Sequence, residues 1–240
     1  MCRLMGFVAD SPTTFQEIVG PHFHEFVTLS NHHKDGWGCS TTQLIHKDKE
    51  PAAFDPEFKR LSRFEKYPGA LLHFRLASSG LNVERSNSHP FAREGISFIH
   101  NGSVKPVEAL EPFVDEDYLN SREGKTDSEL YFLALLTQYR KDDLPEALLQ
   151  TIRNIVKTGK HSSLNCMVLS NDYFIVAAEY DNSKIPAGEP DDYYKLSYRF
   201  DDEGLLIASS GWDQEGWPEL PNHSIAVFNR HTQELGFLQI

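Results

Sequence analysis

A chain of 240 residues has room for one large domain or two small ones, and its 40% hydrophobic and 24% charged content is ordinary for a soluble globular protein. The formal net charge of −12 argues against a nucleic-acid or anionic-membrane surface, so neither partner is expected. The three cysteines, Cys2, Cys39 and Cys166, are odd in number and far apart. That fits neither a disulfide framework nor a CxxC metal site and points to a reducing, cytoplasmic compartment.

The chain opens Met1-Cys2-Arg3-Leu4-Met5-Gly6-Phe7-Val8-Ala9, with no apolar stretch long enough for a secretion signal or a membrane span. Cys2 is small, so removal of Met1 is expected. One residue would then carry both a thiol and a free α-amine. An α-amine titrates near ~7.7–8.0 and a thiol near ~8.5, so the amine can take the thiol's proton at cell pH without a histidine. Leu4, Met5, Phe7 and Val8 read as a buried strand that would hold this nucleophile. A small apolar residue that happens to stand second is the plainer reading.

Ser11-Pro12 marks a loop, and residues 13 to 31 look partly helical. Asp35-Gly36-Trp37-Gly38 is a glycine-rich turn leading into a strand near Cys39 to His46. Asp55 to Glu65 reads as a short helix and Pro68-Gly69 as a turn. Residues 70–77 are a mostly apolar run, as expected of a strand covered on both faces. Ile96 to Ile99 is a strand ending at Asn101-Gly102. Phe132, Leu135, Leu136 and Tyr139 recur at helical spacing on a well-buried helix beginning near Thr126. A second helix runs from about Pro145 to Gly159. The last third reads as three hairpins, 166–169 with 173–178, 194–200 with 205–208, and 225–228 with 235–238. Residues 182–192 read as a long loop. Strands, two helices and strands again make one α+β layered domain over residues 1–240.

Four further stretches bear on Cys2. Arg75, at a strand end, can grip a carboxylate through two parallel hydrogen bonds, or pair with an internal acid. Asn87-Ser88-His89-Pro90 is loop-like, and His89 fits a structural role better than that of a base. Asn101-Gly102 after a strand is a strong hairpin signal. The same pair could instead form an oxyanion hole from the Asn101 amide and the Gly102 N–H. Thr126-Asp127-Ser128-Glu129 is a capping box, with Glu129 reaching back to the cap, and Asp127 at its helix head could bind an ammonium group. His22-x-His24 and His32-His33 lack a third ligand at a recognisable spacing, so no metal or other cofactor is expected.

In this order the five motifs resemble the class-II glutamine amidotransferases, a family of N-terminal-nucleophile hydrolases. The family pattern is an N-terminal Cys, Arg-x-Ala-[Thr/Ser], Asn-x-His-Pro, His-Asn-Gly and [Ser/Thr]-Asp-[Ser/Thr]-Glu. Here it is matched by Cys2, Arg75-Leu76-Ala77-Ser78, Asn87-Ser88-His89-Pro90, His100-Asn101-Gly102 and Thr126-Asp127-Ser128-Glu129. The Asp35-Gly36-Trp37-Gly38 turn and the segment from Gly211-Trp212 to Leu220-Pro221 look like the stand-alone branch, which includes enzymes of ergothioneine synthesis and glutathione breakdown. The large synthases carry an aromatic and then Thr-His after the arginine, where Leu76 and Ser78-Ser79 stand here.

The resemblance implies a four-layer αββα sandwich and no cofactor. It implies catalytic roles for Cys2, Asn101 and Gly102, and substrate binding by Arg75, Ser78 and Asp127. Glutamine would be hydrolysed through a γ-glutamyl thioester, with a possible ammonia-accepting partner enzyme. One alternative is hydrolysis of a γ-glutamyl bond in a glutathione-like or sulfur-containing compound. Another is a non-catalytic regulatory subunit of the same fold.

Overall fold

The computed structural model describes residues 2–77 and 83–240. Among these, β1 (Arg3–Thr13), β2 (Trp37–Ser40), β3 (Ile45–Asp48), β4 (Tyr67–Phe74), β5 (Phe91–Arg93) and β6 (Ile96–Val104) precede β7 (His161–Leu169) and β8 (Tyr173–Ala178). The chain then adds β9 (Leu196–Asp201), β10 (Gly204–Ser209), β11 (Ser224–Asn229) and β12 (Glu234–Gln239). The helices are α1 (Phe15–Val19), α2 (Phe23–Thr28), α3 (Pro56–Arg63), α4 (Glu116–Asn120), α5 (Asp127–Tyr139) and α6 (Leu144–Lys157). The strands form two six-stranded antiparallel sheets, ordered β3-β2-β4-β1-β10-β9 and β12-β11-β8-β7-β6-β5.

Period-two alternation on β1 explains how the layers stack. Leu4 and Val8 face the second sheet, in a core with Leu71, Ile99, Met167 and Phe174. Gly6 shares that face, where a Cβ would come within 2.9 Å of Leu71 and Phe174, so its bareness lets the sheets approach. Met5 and Phe7 point the other way, into a core with Phe15, Phe26, Phe58 and Phe74 under α1 to α3. Behind the second sheet, Phe98, Val168 and Ile175 pack on Leu135 of α5 and on Leu148 and Ile152 of α6. Helices, sheet, sheet and helices make the αββα sandwich.

The three late hairpins pair as the sequence leads one to expect. Elsewhere local signals yield to the sheet. β1 continues through Ser11-Pro12 to Thr13, and β4 already includes Pro68-Gly69. The β1–β4 register breaks between Val8 and Thr13, which leaves Pro68 without a ladder partner and so tolerates its missing N–H. The single strand expected from Cys39 to His46 is instead the β2–β3 hairpin, turned where the Thr41 hydroxyl accepts from Gln43 N and Leu44 N. β5 and α4 carry too few residues to leave a periodic signal.

Candidate active site

Cys2 sits at the head of β1, on the side that faces the second sheet. Its backbone nitrogen donates to Asn101 Oδ1 at 2.9 Å, and its Sγ lies 3.8 Å from the Leu76 carbonyl. Because the partner is an N–H, Oδ1 must be the accepting end of the Asn101 amide, which turns Nδ2 away as a donor. Burial pushes the Cys2 thiol above its ordinary range, and the nearby Arg75 charge offsets this only in part. The resting thiol therefore keeps its proton.

Asn101 and Gly102 are not a hairpin turn. They lie within β6, opposite Asn165 and Leu164 of β7. A Cβ on Gly102 would fall 1.9 Å from the Ser163 carbonyl oxygen, so the glycine answers to close strand packing. The register shifts just beyond, between Gly102 and Val104. There Val104 N donates to Asp127 Oδ2 at 2.7 Å, while Asp127 Oδ1 accepts from Ser128 N at 2.9 Å. The Asp127 carboxylate thus ties the head of α5 to the end of β6. Thr126 caps α5 by accepting from Glu129 N at 3.1 Å. The return bond of a capping box is absent among the described residues: Glu129 instead accepts from Glu123 N and Gly124 N, at 2.8 and 2.7 Å.

Arg75 follows the last residue of β4 and is buried. Its backbone is clasped by the glycine-rich turn: Arg75 N donates to Gly36 O at 2.8 Å and Asp35 N to Arg75 O at 3.0 Å. Ala77 N donates to Asp35 Oδ2 at 2.8 Å. One small cleft brings Cys2, Arg75, Asn101, Gly102 and Asp127 together. Ser78 lies outside the described residues.

A family model described as "Glutamine amidotransferases class-II" matches residues 1–186. The chain belongs to the class-II glutamine amidotransferases. An uncharacterized protein of Methanocaldococcus jannaschii is 26% identical to it, over 95% of this chain and 69% of that protein. A probable glutamine amidotransferase of Saccharomyces cerevisiae, DUG3, is 21% identical over 97% and 83%. The fold is shared with a glutamine aminotransferase class-II domain protein from Silicibacter pomeroyi, at TM-score 0.68 and 19% identity over 99% of both chains. A predicted glutamine amidotransferase from Pseudomonas aeruginosa aligns at TM-score 0.56 and 21% identity, over 98% of this chain and 99% of that one.

In this class-II amidotransferase chain the motif histidines are buried. His100 Nε2 lies 3.1 Å from the Ser163 carbonyl, which can only accept, so Nε2 carries the proton and Nδ1 accepts from Ser128 Oγ at 2.9 Å. Ser163 Oγ in turn donates to Asn101 O at 2.8 Å. His100 therefore braces the strand that presents Asn101. His89 stacks on His73 with ring centroids 4.1 Å apart, and burial holds both imidazoles neutral by depressing their pKa well below the usual value. Of the other histidines considered from sequence, His22 Nδ1 meets Glu25 at 2.8 Å, and the Nδ1 atoms of His24 and His33 meet backbone carbonyls.

Sequence reasoning did not assign three supporting positions. Asp35 holds the segment after Arg75. Gly38 admits the Asn-Ser-His-Pro loop, since a Cβ there would lie 2.2 Å from His89 O. Gly124 admits the same loop from the other side, 2.5 Å from Ser86 O by the same measure, while Asn87 Oδ1 accepts from Lys125 N at 2.9 Å. The Asp-Gly-Trp-Gly signal was visible in the sequence; its target was not. Among the described residues, no helix is long and apolar enough to cross a membrane.

Proposed function

We propose that the protein is a glutamine amidotransferase or glutaminase that uses Cys2 to hydrolyse the side-chain amide of glutamine, with residues 1–240 acting as one domain in the cytoplasm. The observation that carries this reading is the 2.9 Å contact between Cys2 N and Asn101 Oδ1, beside the Cys2 thiol. Once Met1 is removed, that nitrogen is an α-amine, seated where it can take the thiol's proton. Sγ then attacks the amide carbon. Asn101 Nδ2 and the Gly102 N–H stabilise the oxyanion. The amine returns its proton to the leaving nitrogen, ammonia departs, and water cleaves the γ-glutamyl thioester to regenerate the thiol. Arg75 and Ser78 receive the α-carboxylate side and Asp127 the α-ammonium. Ammonia passes to solvent or to a partner enzyme.

The test is mass spectrometry of the protein after exposure to a diazo-ketone glutamine analogue, alongside a hydrolysis panel of glutamine, asparagine, glutathione and N-acetylglutamine. Expected are a chain starting at Cys2, one adduct on Cys2, no adduct in Cys2→Ser, and glutamine as the preferred substrate. An adduct elsewhere, or full activity with Met1 retained, would sink the mechanism. Equal rates for glutamine and N-acetylglutamine would remove Asp127 from substrate binding. Glutathione outrunning glutamine would move the reaction to another γ-glutamyl bond at the same residues.

A further inference from the structure

A second constellation lies outside the cleft, on the face of the β2–β3 hairpin that meets the head of α3. His46 and Asp48 are two apart on β3 and share that face. Asp48 stands directly across the ladder from Trp37. Asp55, the N-cap of α3, completes the group: one donor atom each from His46, Asp48 and Asp55 lie within 4.8 Å of one another.

Three observations set this group apart from an ordinary surface cluster. Among the described residues neither carboxylate is ion-paired to a Lys or Arg, and the nearby Arg60 pairs with Glu57 and Glu65 instead. His46 Nε2 is shut away from solvent and has no hydrogen-bond partner among the described residues. The donors are also held from behind. Asp55 accepts from Glu57 N and from Trp37 Nε1, both at 2.8 Å, and Asp48 accepts from Glu50 N at 2.9 Å. The His46 ring stacks on Trp37 at 4.8 Å. Each carboxylate keeps lone pairs beyond these bonds. Such outer bonds are what orient metal ligands in built sites.

We propose that His46, Asp48 and Asp55 bind one first-row divalent cation of the zinc class, as a structural site separate from the cleft. One imidazole and two carboxylates suit Zn²⁺ and leave a position for water. Bond lengths of ~2.0–2.2 Å require the donors to close in from a spacing of up to 4.8 Å, a side-chain movement that half-buried Asp48 can make. The ion would clamp β3 to the head of α3 and fix Trp37, whose ladder partner Phe74 immediately precedes Arg75.

The experiment uses chelator-treated protein in a Cys2→Ser background, so that the cleft thiol cannot compete. Equilibrium dialysis against Zn²⁺, followed by metal analysis, should give one equivalent per chain and a raised melting temperature. His46→Ala and Asp48→Asn should each lose most of that uptake and the thermal shift, with circular dichroism reporting that they fold; His46→Gln replaces the alanine variant if it does not. Trp37→Phe, which removes one of the two bonds that orient Asp55 and alters the ring stacked on His46, should weaken binding by roughly 10- to 100-fold. No uptake at millimolar Zn²⁺ would overturn the proposal. Undiminished uptake by the folded His46 and Asp48 variants would also overturn it.

Discussion

The two lips of the cleft are built differently. Asn101 and Gly102 lie inside β6, with β7 so close that Gly102 has no room for a methyl group. Arg75 lies past the end of β4, and its backbone rests on a turn from another part of the chain, through Asp35 and Gly36. The lip proposed to hold the oxyanion is therefore set by the sheet itself, and its geometry changes only if strand pairing changes. The lip proposed to hold the amino-acid head is set by a few bonds from one turn, and can shift while the sheet stays intact.

Gly102→Ala is the harshest test of that contrast. A Cβ 1.9 Å from Ser163 O forces the strands apart, so the variant should lose about 3 kcal/mol or more of stability and all measurable turnover. A wild-type melting temperature with normal turnover would show the strand lip to be pliable after all. Arg75→Ala comes next: removing one partner of a desolvated charge pair costs roughly 2–5 kcal/mol, or about 30- to 5000-fold, and the loss should fall mainly on KM. Asn101→Ala should lower kcat by ~100- to 1000-fold with little change in KM, because it removes the donor proposed to act in the transition state together with the seat of the Cys2 nitrogen. A KM effect instead would put Asn101 among the groups that hold the substrate's ground state. Asp35→Ala should be mild. It removes the hydrogen bond to Ala77 N, worth about 0.5–1.5 kcal/mol, and should raise KM by roughly 2- to 10-fold at constant kcat. A fall in kcat equal to that of Asn101→Ala would mean the two lips are mechanically coupled.

The subtlest probe is pH. Burial raises the Cys2 thiol, so alkylation by iodoacetamide should keep climbing with pH beyond the ordinary thiol range near ~8.5. A plateau below that range would mean the thiolate is already stabilised in the resting protein.

The candidate site residues are legible in the sequence because each motif is local. Cys2, Arg75, Asn101 and Asp127 each sit in a short recognisable stretch, and the three late hairpins are equally local in their signals. What local signals could not give is which segments meet. Asn101-Gly102 has the composition of a turn, yet pairing with Asn165 and Leu164 outweighs that preference. Gly38 and Gly124 look like loop glycines. Both leave room for the Asn87–Pro90 loop, a requirement set by residues about 40 to 50 positions away. Glu129 was expected to close a capping box by returning to Thr126. Glu123 N and Gly124 N, in the turn just before the helix, engage its carboxylate instead. Pro68-Gly69 reads as a turn, yet β4 includes it, and the irregular β1–β4 pairing absorbs the proline.

The seat of the Cys2 nitrogen against Asn101 has a practical corollary for handling the protein. On the proposed mechanism, a purification tag fused ahead of Cys2 would keep that nitrogen an amide and abolish turnover. At the other end, β12 forms the outer edge of its sheet, with most of its residues exposed, and runs out at Gln239. A C-terminal tag, with Met1 left for the host's own aminopeptidase to remove, is the format in which an inactive preparation would say something about the enzyme rather than about its cloning.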